Sequence, residues 1–259
     1  MESKKYWIWL SRIQGLDNKK IIELLKKFKS PEQIWKLTEK ELNSLELEER
    51  IVNKILNKQY RTNLCKYVEY MNKNNIDIIT FYDKEYPKNL RNIYCPPICL
   101  YVKGDKKILN EKSIGIVGCR LCSKYGKEVA IKLSSSLAKY NINIVSGLAR
   151  GIDKYGHLGC IEGRGKTIAV LGNGLDTIYP FENTELARQI IKTGGTIVSE
   201  YIIGTNPNKE NFPARNRIIS GLSNGIVVIE AKRRSGSMIT VENALEQGKE
   251  VFAVPRKYK

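Results

Sequence analysis

The feature that most constrains the fold of this chain is a series of six short apolar runs between residues 113 and 255. They read SIGIVG, INIVSG, TIAVLG, GTIVSE, GIVVIE and EVFAVP, and a segment compatible with a helix separates each run from the next. The runs lack polar alternation, which indicates strands that are buried on both faces. Such strands, alternating with helices, predict an α/β fold with a doubly wound, Rossmann-like parallel sheet.

The first third of the chain predicts a small all-helical domain instead. Apolar residues recur at helical spacing after Asp17. Start signals for further short helices follow at Ser30, with Pro next to it, and at Thr38, with Glu three residues later. A longer helix is predicted from about Glu48 to Met71.

Between these regions lie two strand-like runs, Ile76 to Phe81 and Ile98 to Val102, in a stretch that several prolines interrupt. We therefore expect three parts in the chain. They are a helical domain at 1–73, an extended linker and strand segment at 74–112, and a Rossmann-like domain at 113–259.

The charge balance bears on partners rather than on fold. Lys and Arg number 44 against 27 Asp and Glu, which gives a net charge of +17. A surface this positive attracts polyanions, of which nucleic acid is the commonest. A composition that is generally rich in lysine would give the same total, so the positions of the charges must decide between the two interpretations.

Several classes of protein are excluded by what the sequence lacks. No stretch approaches the roughly 18 apolar residues that cross a membrane, and the first ten residues lack the apolar region and cleavage site of a secretory leader. Six cysteines do not form a dense disulfide framework. We expect a cytoplasmic protein without membrane association.

Ligands of doubly wound sheets bind beyond the carboxyl ends of the strands, so the loops that follow the predicted strands are the expected site. These loops combine glycines with arginines and lysines. Glycines let backbone N–H groups approach an anion at a helix N-terminus, and the basic side chains complete a phosphate-binding surface. A need for tight turns would explain the glycines of any single loop. It explains less readily why glycines recur with basic residues across the five loops that follow the predicted strands.

Three familiar motifs fail on inspection. Gly118 is not part of a G-x-G-x-x-G sequence, which weakens an NAD interpretation. The segment 163–167, GRGKT, ends like a phosphate-binding P-loop, but Cys160 stands where that motif begins with glycine. Cys119-x-x-Cys122 has no second clean pair to complete a zinc site. We expect neither a cofactor nor a metal.

No catalytic constellation is found either. His157 is the only histidine, and no Ser, Cys or Asp arrangement makes it a catalytic base. We therefore expect that the protein is not an enzyme. The alternative is a Rossmann-like nucleotide enzyme similar to the phosphoribohydrolases related to lysine-decarboxylase-like proteins, with 235–237 and Glu242 in place of the P-G-G-x-G-T loop and its glutamate. The missing diglycine argues against it.

Longer strings of the sequence resemble the DprA family, also called Smf. They are GCRLCSKYG, SGLARGID, TIAVLGNGLDTIYPFEN, FPARNRIISGLS, EAKRRSGSMIT and VFAVP, in that order, and the match covers essentially everything from Ser113 to Pro255. The helical part, with LSRIQGLDNKKIIELLKKFKSPEQIW, resembles the family's SAM-like or helix-hairpin-helix domain.

The resemblance implies a homodimer that binds single-stranded DNA, displaces single-strand-binding protein and loads the RecA recombinase during natural transformation. By position, it implies that Arg120 and Lys209 hold backbone phosphate and that Phe212 contacts a base, with Arg215 and Arg217 in the same strip. Together with the strand-end loops, this gives the candidate phosphate-binding residues Gly118, Cys119, Arg120, Ser123, Gly147, Arg150, Gly151, Lys209, Arg215, Arg217 and Lys232.

Two positions depart from the family pattern. Cys119 stands where the family has Ser or Thr, which removes a hydroxyl donor but leaves the backbone N–H groups and Arg120. The sequence stops at Lys259, where the family usually continues, so we expect a Rossmann-like domain that is short at its C-terminus.

Overall fold

The computed structural model describes residues 3–233 and 235–255. Its strands are Ile76–Thr80 (β1), Cys99–Gly104 (β2), Ser113–Val117 (β3), Asn143–Ser146 (β4), Thr167–Leu171 (β5), Thr196–Ser199 (β6), Gly225–Val228 (β7) and Glu250–Ala253 (β8). They form one sheet in the order β1-β2-β6-β5-β4-β3-β7-β8.

The helices cover most of the remaining chain. They are Lys4–Ser11 (α1), Asn18–Phe28 (α2), Pro31–Trp35 (α3), Glu39–Asn43 (α4), Glu49–Leu56 (α5), Lys58–Arg61 (α6), Leu64–Lys73 (α7), Lys88–Arg91 (α8), Lys124–Lys139 (α9), Ile152–Glu162 (α10), Thr184–Lys192 (α11), Asn211–Leu222 (α12) and Gly236–Glu246 (α13). Within the described ranges, none of them has the length and apolar character that a membrane crossing requires.

All six apolar runs predicted as strands are confirmed, as β3 to β8, and they pair in parallel. Both faces of the sheet are covered from β3 to β7, whereas β8 at the edge is largely exposed, contrary to the burial that its apolar run predicted. Val117 packs in a core cluster that includes Ile218 of α12, whereas its neighbour Ile116 packs with Ala130 of α9 and Ile152 of α10. The predicted doubly wound α/β fold is therefore confirmed.

The segment 74–112 contributes two strands to this sheet. β1 pairs antiparallel with β2, and β2 pairs antiparallel with β6, so that Val102 lies opposite Val198. Tyr86 is fully buried and donates a hydrogen bond from its hydroxyl to the carbonyl of Pro97, 2.7 Å away. The segment that we expected to be an extended linker with strands thus joins the Rossmann-like sheet as its first two strands.

The predicted start signals of the N-terminal helices are confirmed. The side chain of Asp17 accepts from the N–H of Lys20, the side chain of Ser30 accepts from that of Gln33, and Thr38 forms a reciprocal capping box with Glu41. These bonds satisfy N–H groups that have no partner inside the first turn of a helix.

The single long helix predicted from Glu48 to Met71 is wrong, because the structure divides it into α5, α6 and α7. Asn57 adopts an extended backbone and its side chain accepts from the N–H of Gln59, which starts α6. Asn63 lies in the left-handed region at φ 61° and precedes α7. The side chain of Asn57 competes with the helix for a backbone N–H group, and the left-handed backbone at Asn63, which asparagine tolerates, interrupts the helical path a second time.

The N-terminal helices pack on the sheet through α1. Trp7 and Trp9 belong to the same buried cluster as Ile78 of β1 and Tyr101 of β2. The hydroxyl of Ser11 lies 3.3 Å from that of Tyr101. Helices and sheet therefore share one hydrophobic core across this contact.

The topology defines where a ligand would lie. β3 sits between β4 and β7. From β3 the chain continues to β4, toward one edge of the sheet, and from β7 it continues to β8, at the opposite edge. The loops that follow these two strands diverge at the carboxyl edge and leave a crevice at the switch point, where doubly wound sheets bind ligands.

His157 is fully buried on α10. Its Nδ1 lies 2.7 Å from the hydroxyl of Thr167, which donates its own proton to the carbonyl of Ile144, so Nδ1–H is the donor in the first contact. Burial, and after it the charge of Arg215, lower the pKa of His157 to about 3. The ring is therefore neutral in the folded protein at neutral pH.

We expect this histidine to make stability fall in acid. An unfolded histidine has a pKa of about 6.5, so below that pH the unfolded chain binds a proton that the folded chain rejects. This loss of stability continues down to the folded pKa of about 3. Between the two pKa values, each unit by which the pH falls lowers the free energy of unfolding by about 1.4 kcal/mol. Urea denaturation should show the wild type losing more stability than His157→Gln as the pH falls from about 6.5 to about 5. Equal losses would contradict the assignment.

Candidate nucleic-acid interface

A cleft of about 620 Å³ opens at the switch point. Its walls are the loops after β3 and β7 and the first turns of α12 and α13. The structure brings together seven of the residues predicted from the sequence in this cleft: Gly118, Cys119, Arg120, Lys209, Phe212, Arg215 and Lys232.

A smaller niche of about 60 Å³ adjoins the cleft and shares Arg120, Phe212 and Arg215 with it. Gly147 and Arg150, also predicted from the sequence, line this niche. Ser123, Gly151 and Arg217 line neither cavity.

Gly151 positions the loop that carries Arg120. Its φ is +71°, and a Cβ at this position would lie 2.3 Å from the carbonyl oxygen of Cys119 and 2.5 Å from that of Arg120. The N–H of Ile152 donates to the carbonyl of Cys119 at 3.2 Å. Only glycine permits this contact between the two loops, so the role of Gly151 is to place its neighbours rather than to face a ligand.

Ser123 also acts within the protein. Its hydroxyl oxygen caps α9 by accepting from the N–H of Gly126, 3.1 Å away. The same hydroxyl and the Ser123 N–H donate to Oε2 of Glu230, which follows β7, at 3.1 and 2.9 Å. These bonds hold the loop after β3 against the end of β7 and so fix one wall of the cleft.

Cys119, the departure from the family pattern, lines the cleft with its thiol turned to the backbone. Its Sγ donates to the carbonyl of Leu121 at 3.2 Å. Burial, with the charge of Glu230, raises the pKa of this thiol. The thiol is therefore protonated at neutral pH and contributes no negative charge to the cleft.

Two aromatic rings and a guanidinium are stacked at the boundary of cleft and niche. The rings of Tyr179 and Phe212 are nearly parallel, with centroids 5.5 Å apart and 25° between their planes. The guanidinium carbon of Arg120 lies 5.9 Å from the Phe212 centroid. Tyr179 is 46% exposed, so one face of the stack is open to solvent.

The sequence reasoning missed Tyr179. It stands in the loop after β5 and directly before Pro180, in the string TIYPFEN. An aromatic residue in a strand-end loop was the available signal. That signal carries little weight until the loop is placed beside Phe212 of α12.

Arg215 is 5% exposed and forms part of the floor beneath both cavities. Its Nη1 donates to the carbonyl of Gly147 at 2.9 Å and also contacts that of Val170. Burial lowers the pKa of Arg215 to about 10, against the attraction of Asp153. The guanidinium is nevertheless charged at neutral pH.

Asp153 is the acidic counterpart of Arg215 under the loop of residues 147–150. Its Oδ2 accepts from the N–H of Gly147 at 3.0 Å and from that of Ala149 at 3.4 Å. Burial raises the pKa of Asp153, while Arg215 and the two N–H donors act in the opposite direction. Arg215 and Asp153 thus hold the carbonyl and the amide of the same glycine.

Arg217 and Arg150 are paired with carboxylates. Both terminal nitrogens of Arg217 lie 2.6 Å from the carboxylate of Glu200, and the pair is largely buried. Burial lowers the pKa of Arg217, but Glu200 raises it by more, so the net shift is upward. Arg150 makes two contacts of 2.8 Å with the carboxylate of Glu182, and this pair is exposed.

Among the residues that the structure describes, three cations of the cleft have no such partner. Arg120, Lys209 and Lys232 are exposed, and within residues 3–233 and 235–255 none of them forms an ion pair with a carboxylate. An exposed, unpaired cation attracts a phosphate without first breaking a salt bridge. Glu242, which an enzyme of the phosphoribohydrolase type would need, is exposed on α13 and does not line the cleft.

The fold and this site together define a Rossmann-like protein with a basic, aromatic cleft at the switch point of its sheet. The chain belongs to the family of DNA recombination-mediator protein A, whose model matches residues 77–259.

Curated relatives include DNA processing protein DprA of Bacillus subtilis, which is 44% identical over 76% of this chain and 66% of its own. The DprA of Streptococcus pneumoniae is 46% identical over 67% of this chain and 61% of its own. Protein Smf of Synechocystis is 38% identical over 96% and 64%. The chain thus spans between 61% and 66% of the length of these three relatives.

Two solved structures are similar over most of the chain. The X-ray structure of the S. pneumoniae protein has a TM-score of 0.82 at 36% identity, and the match covers 98% of this chain and 87% of that one. The Helicobacter pylori DNA processing protein A, whose structure concerns its single-stranded DNA binding mode, has a TM-score of 0.65 at 32% identity, with 70% and 81% covered.

Proposed function

We propose that this protein binds single-stranded DNA in the cleft at the switch point and acts in DNA recombination without catalysing a reaction. The observation that carries this proposal is that one cleft combines the stacked rings of Tyr179 and Phe212 with three cations that have no carboxylate partner in the described part of the chain. Cations that follow a backbone and flat rings that stack on bases are the two elements of sequence-tolerant binding to a single strand.

The aromatic stack favours a single strand over a duplex. The bases of a duplex already cover one another's faces, so a ring can stack on them only after the duplex is disturbed. In a single strand the base faces are free, and every base presents one. We infer that Arg120, Lys209 and Lys232 contact phosphates and that Phe212 contacts a base.

Family membership supports the wider role that the sequence implied. We propose that the protein is cytoplasmic, acts as a homodimer, displaces single-strand-binding protein and delivers the bound strand to a RecA-type recombinase. The proposal of these partners rests on membership of the family and not on contacts within this chain.

Fluorescence anisotropy with a labelled dT oligomer, and with the matching duplex as competitor, tests the binding. For three phosphate contacts the logarithmic salt slope should be about −2, so affinity should fall by about 20-fold between about 50 and about 200 mM salt. Equal affinity for strand and duplex would contradict the proposal. Lys112→Ala, which removes an exposed cation at the opposite end of β3, is the control and should bind as the wild type does.

A further inference from the structure

The niche beside the cleft has the composition of a receptor for a small anion. Arg120, Arg150 and Arg215 contribute three guanidinium groups to its lining, and Tyr179 and Phe212 contribute an aromatic wall. The carboxylates of Glu182 and Asp153 interact with two of these cations, which leaves a surplus of positive charge.

Arg215 provides the strongest sign of a ligand. Its side chain is 5% exposed and lines the niche. Nε donates to Asn216, and Nη1 contacts the carbonyls of Gly147 and Val170. In the described part of the chain, Nη2 donates to no protein group. A buried guanidinium is stable when its N–H groups have partners, so an anion in the niche would complete its hydrogen bonding.

The size of the niche limits what that anion can be. A volume of about 60 Å³ holds a few water-sized groups, since one water needs about 10–15 Å³ on the same scale. A phosphate group fits this space, whereas a nucleoside does not. An internal phosphodiester would need room for a sugar on both sides, but a terminal phosphate needs it on one side only, toward the cleft.

We propose that the niche binds the terminal phosphate monoester of a DNA single strand whose adjoining nucleotides occupy the cleft. The proposal rests on the proposed function and deepens it, because it makes a strand end the preferred ligand. A phosphate monoester carries about −1.5 to −2 charges at neutral pH, more than the single charge of a diester, so the positive niche attracts it more strongly.

Short dT oligomers of equal length, with a 5′-phosphate, a 3′-phosphate or two hydroxyl ends, test this inference by competition anisotropy. One of the two phosphorylated oligomers should bind about tenfold more tightly than the oligomer with two hydroxyl ends, the effect of one added charge-assisted hydrogen bond. That oligomer also identifies the end of the strand that the niche receives. The corresponding dTMP isomer should stabilise the chain against heat at a concentration at which thymidine does not.

Arg150→Gln should abolish the preference, because it removes a cation of the niche without disturbing the buried core. Arg188→Gln, which removes another exposed arginine from an ion pair, is the matched control and should keep the preference. Equal binding of all three oligomers would overturn the inference while leaving the proposed function intact. A preference that persists in Arg150→Gln would also overturn it, and failure of every oligomer to bind would refute both proposals.

Discussion

Replacing Arg215 with methionine is expected to lower the free energy of unfolding by about 2–4 kcal/mol, because two buried carbonyl groups lose their donor and a buried carboxylate loses a nearby positive charge. The substitution keeps a long apolar side chain but leaves the carboxylate of Asp153 buried without its cation. It also removes the Nη1 donor to the carbonyls of Gly147 and Val170, two residues that are buried in the folded protein. Urea denaturation at neutral pH measures the loss.

The double variant Arg215→Met with Asp153→Asn separates charge from packing. Asparagine can still accept from the N–H groups of Gly147 and Ala149, and the double variant has no unbalanced charge. It should recover part of the stability that the single variant loses. Arg188→Met is the control, since its exposed pair with Glu185 should be worth less than about 1 kcal/mol. A loss in Arg215→Met as small as that of the control would show that Asp153 does not depend on Arg215.

The second large effect is expected on the affinity for single-stranded DNA. Phe212→Ala should weaken binding to single-stranded DNA by about 5- to 150-fold, because stacking contributes about 1–3 kcal/mol per base. The salt slope should not change, since no cation is lost. Arg120→Ala should also weaken binding, and it should lower the magnitude of the slope by about 0.7, the share of one phosphate contact.

Salt titrations by fluorescence anisotropy distinguish these two effects. Phe181→Ala is the matched control for the aromatic variant, because Phe181 lies near Tyr179 in sequence, is 85% exposed and does not line the cleft. It should bind as the wild type does. A change in the salt slope in Phe212→Ala, or a loss at Arg120 that depends on base sequence, would contradict the division of roles between ring and cation.

The sequence alone predicted the sheet correctly because the strand signal is local. Each of β3 to β7 has an apolar run at its centre and is largely buried, as a strand between two layers of helices requires, whereas the similar run of β8 lies at an exposed edge. Parallel strands place their carboxyl ends at one edge, so the residues after them could be expected to meet. Helix starts at Asp17 and Thr38 were equally local, whereas the interruption at Asn57 depends on a competition between side chain and helix that apolar spacing does not reveal.

The tertiary structure decided which of the basic residues can meet a ligand. Arg215 and Arg217 are two positions apart on α12, yet one lies beneath the cleft and the other is paired with Glu200 away from it. Successive side chains of a helix are rotated by roughly 100° about its axis, so Arg215 and Arg217 point in different directions. Their partners, Gly147 and Glu200, belong to other segments of the chain. The same reason explains why Tyr179 joined the site unpredicted: its role exists only where the loop after β5 meets the first turn of α12.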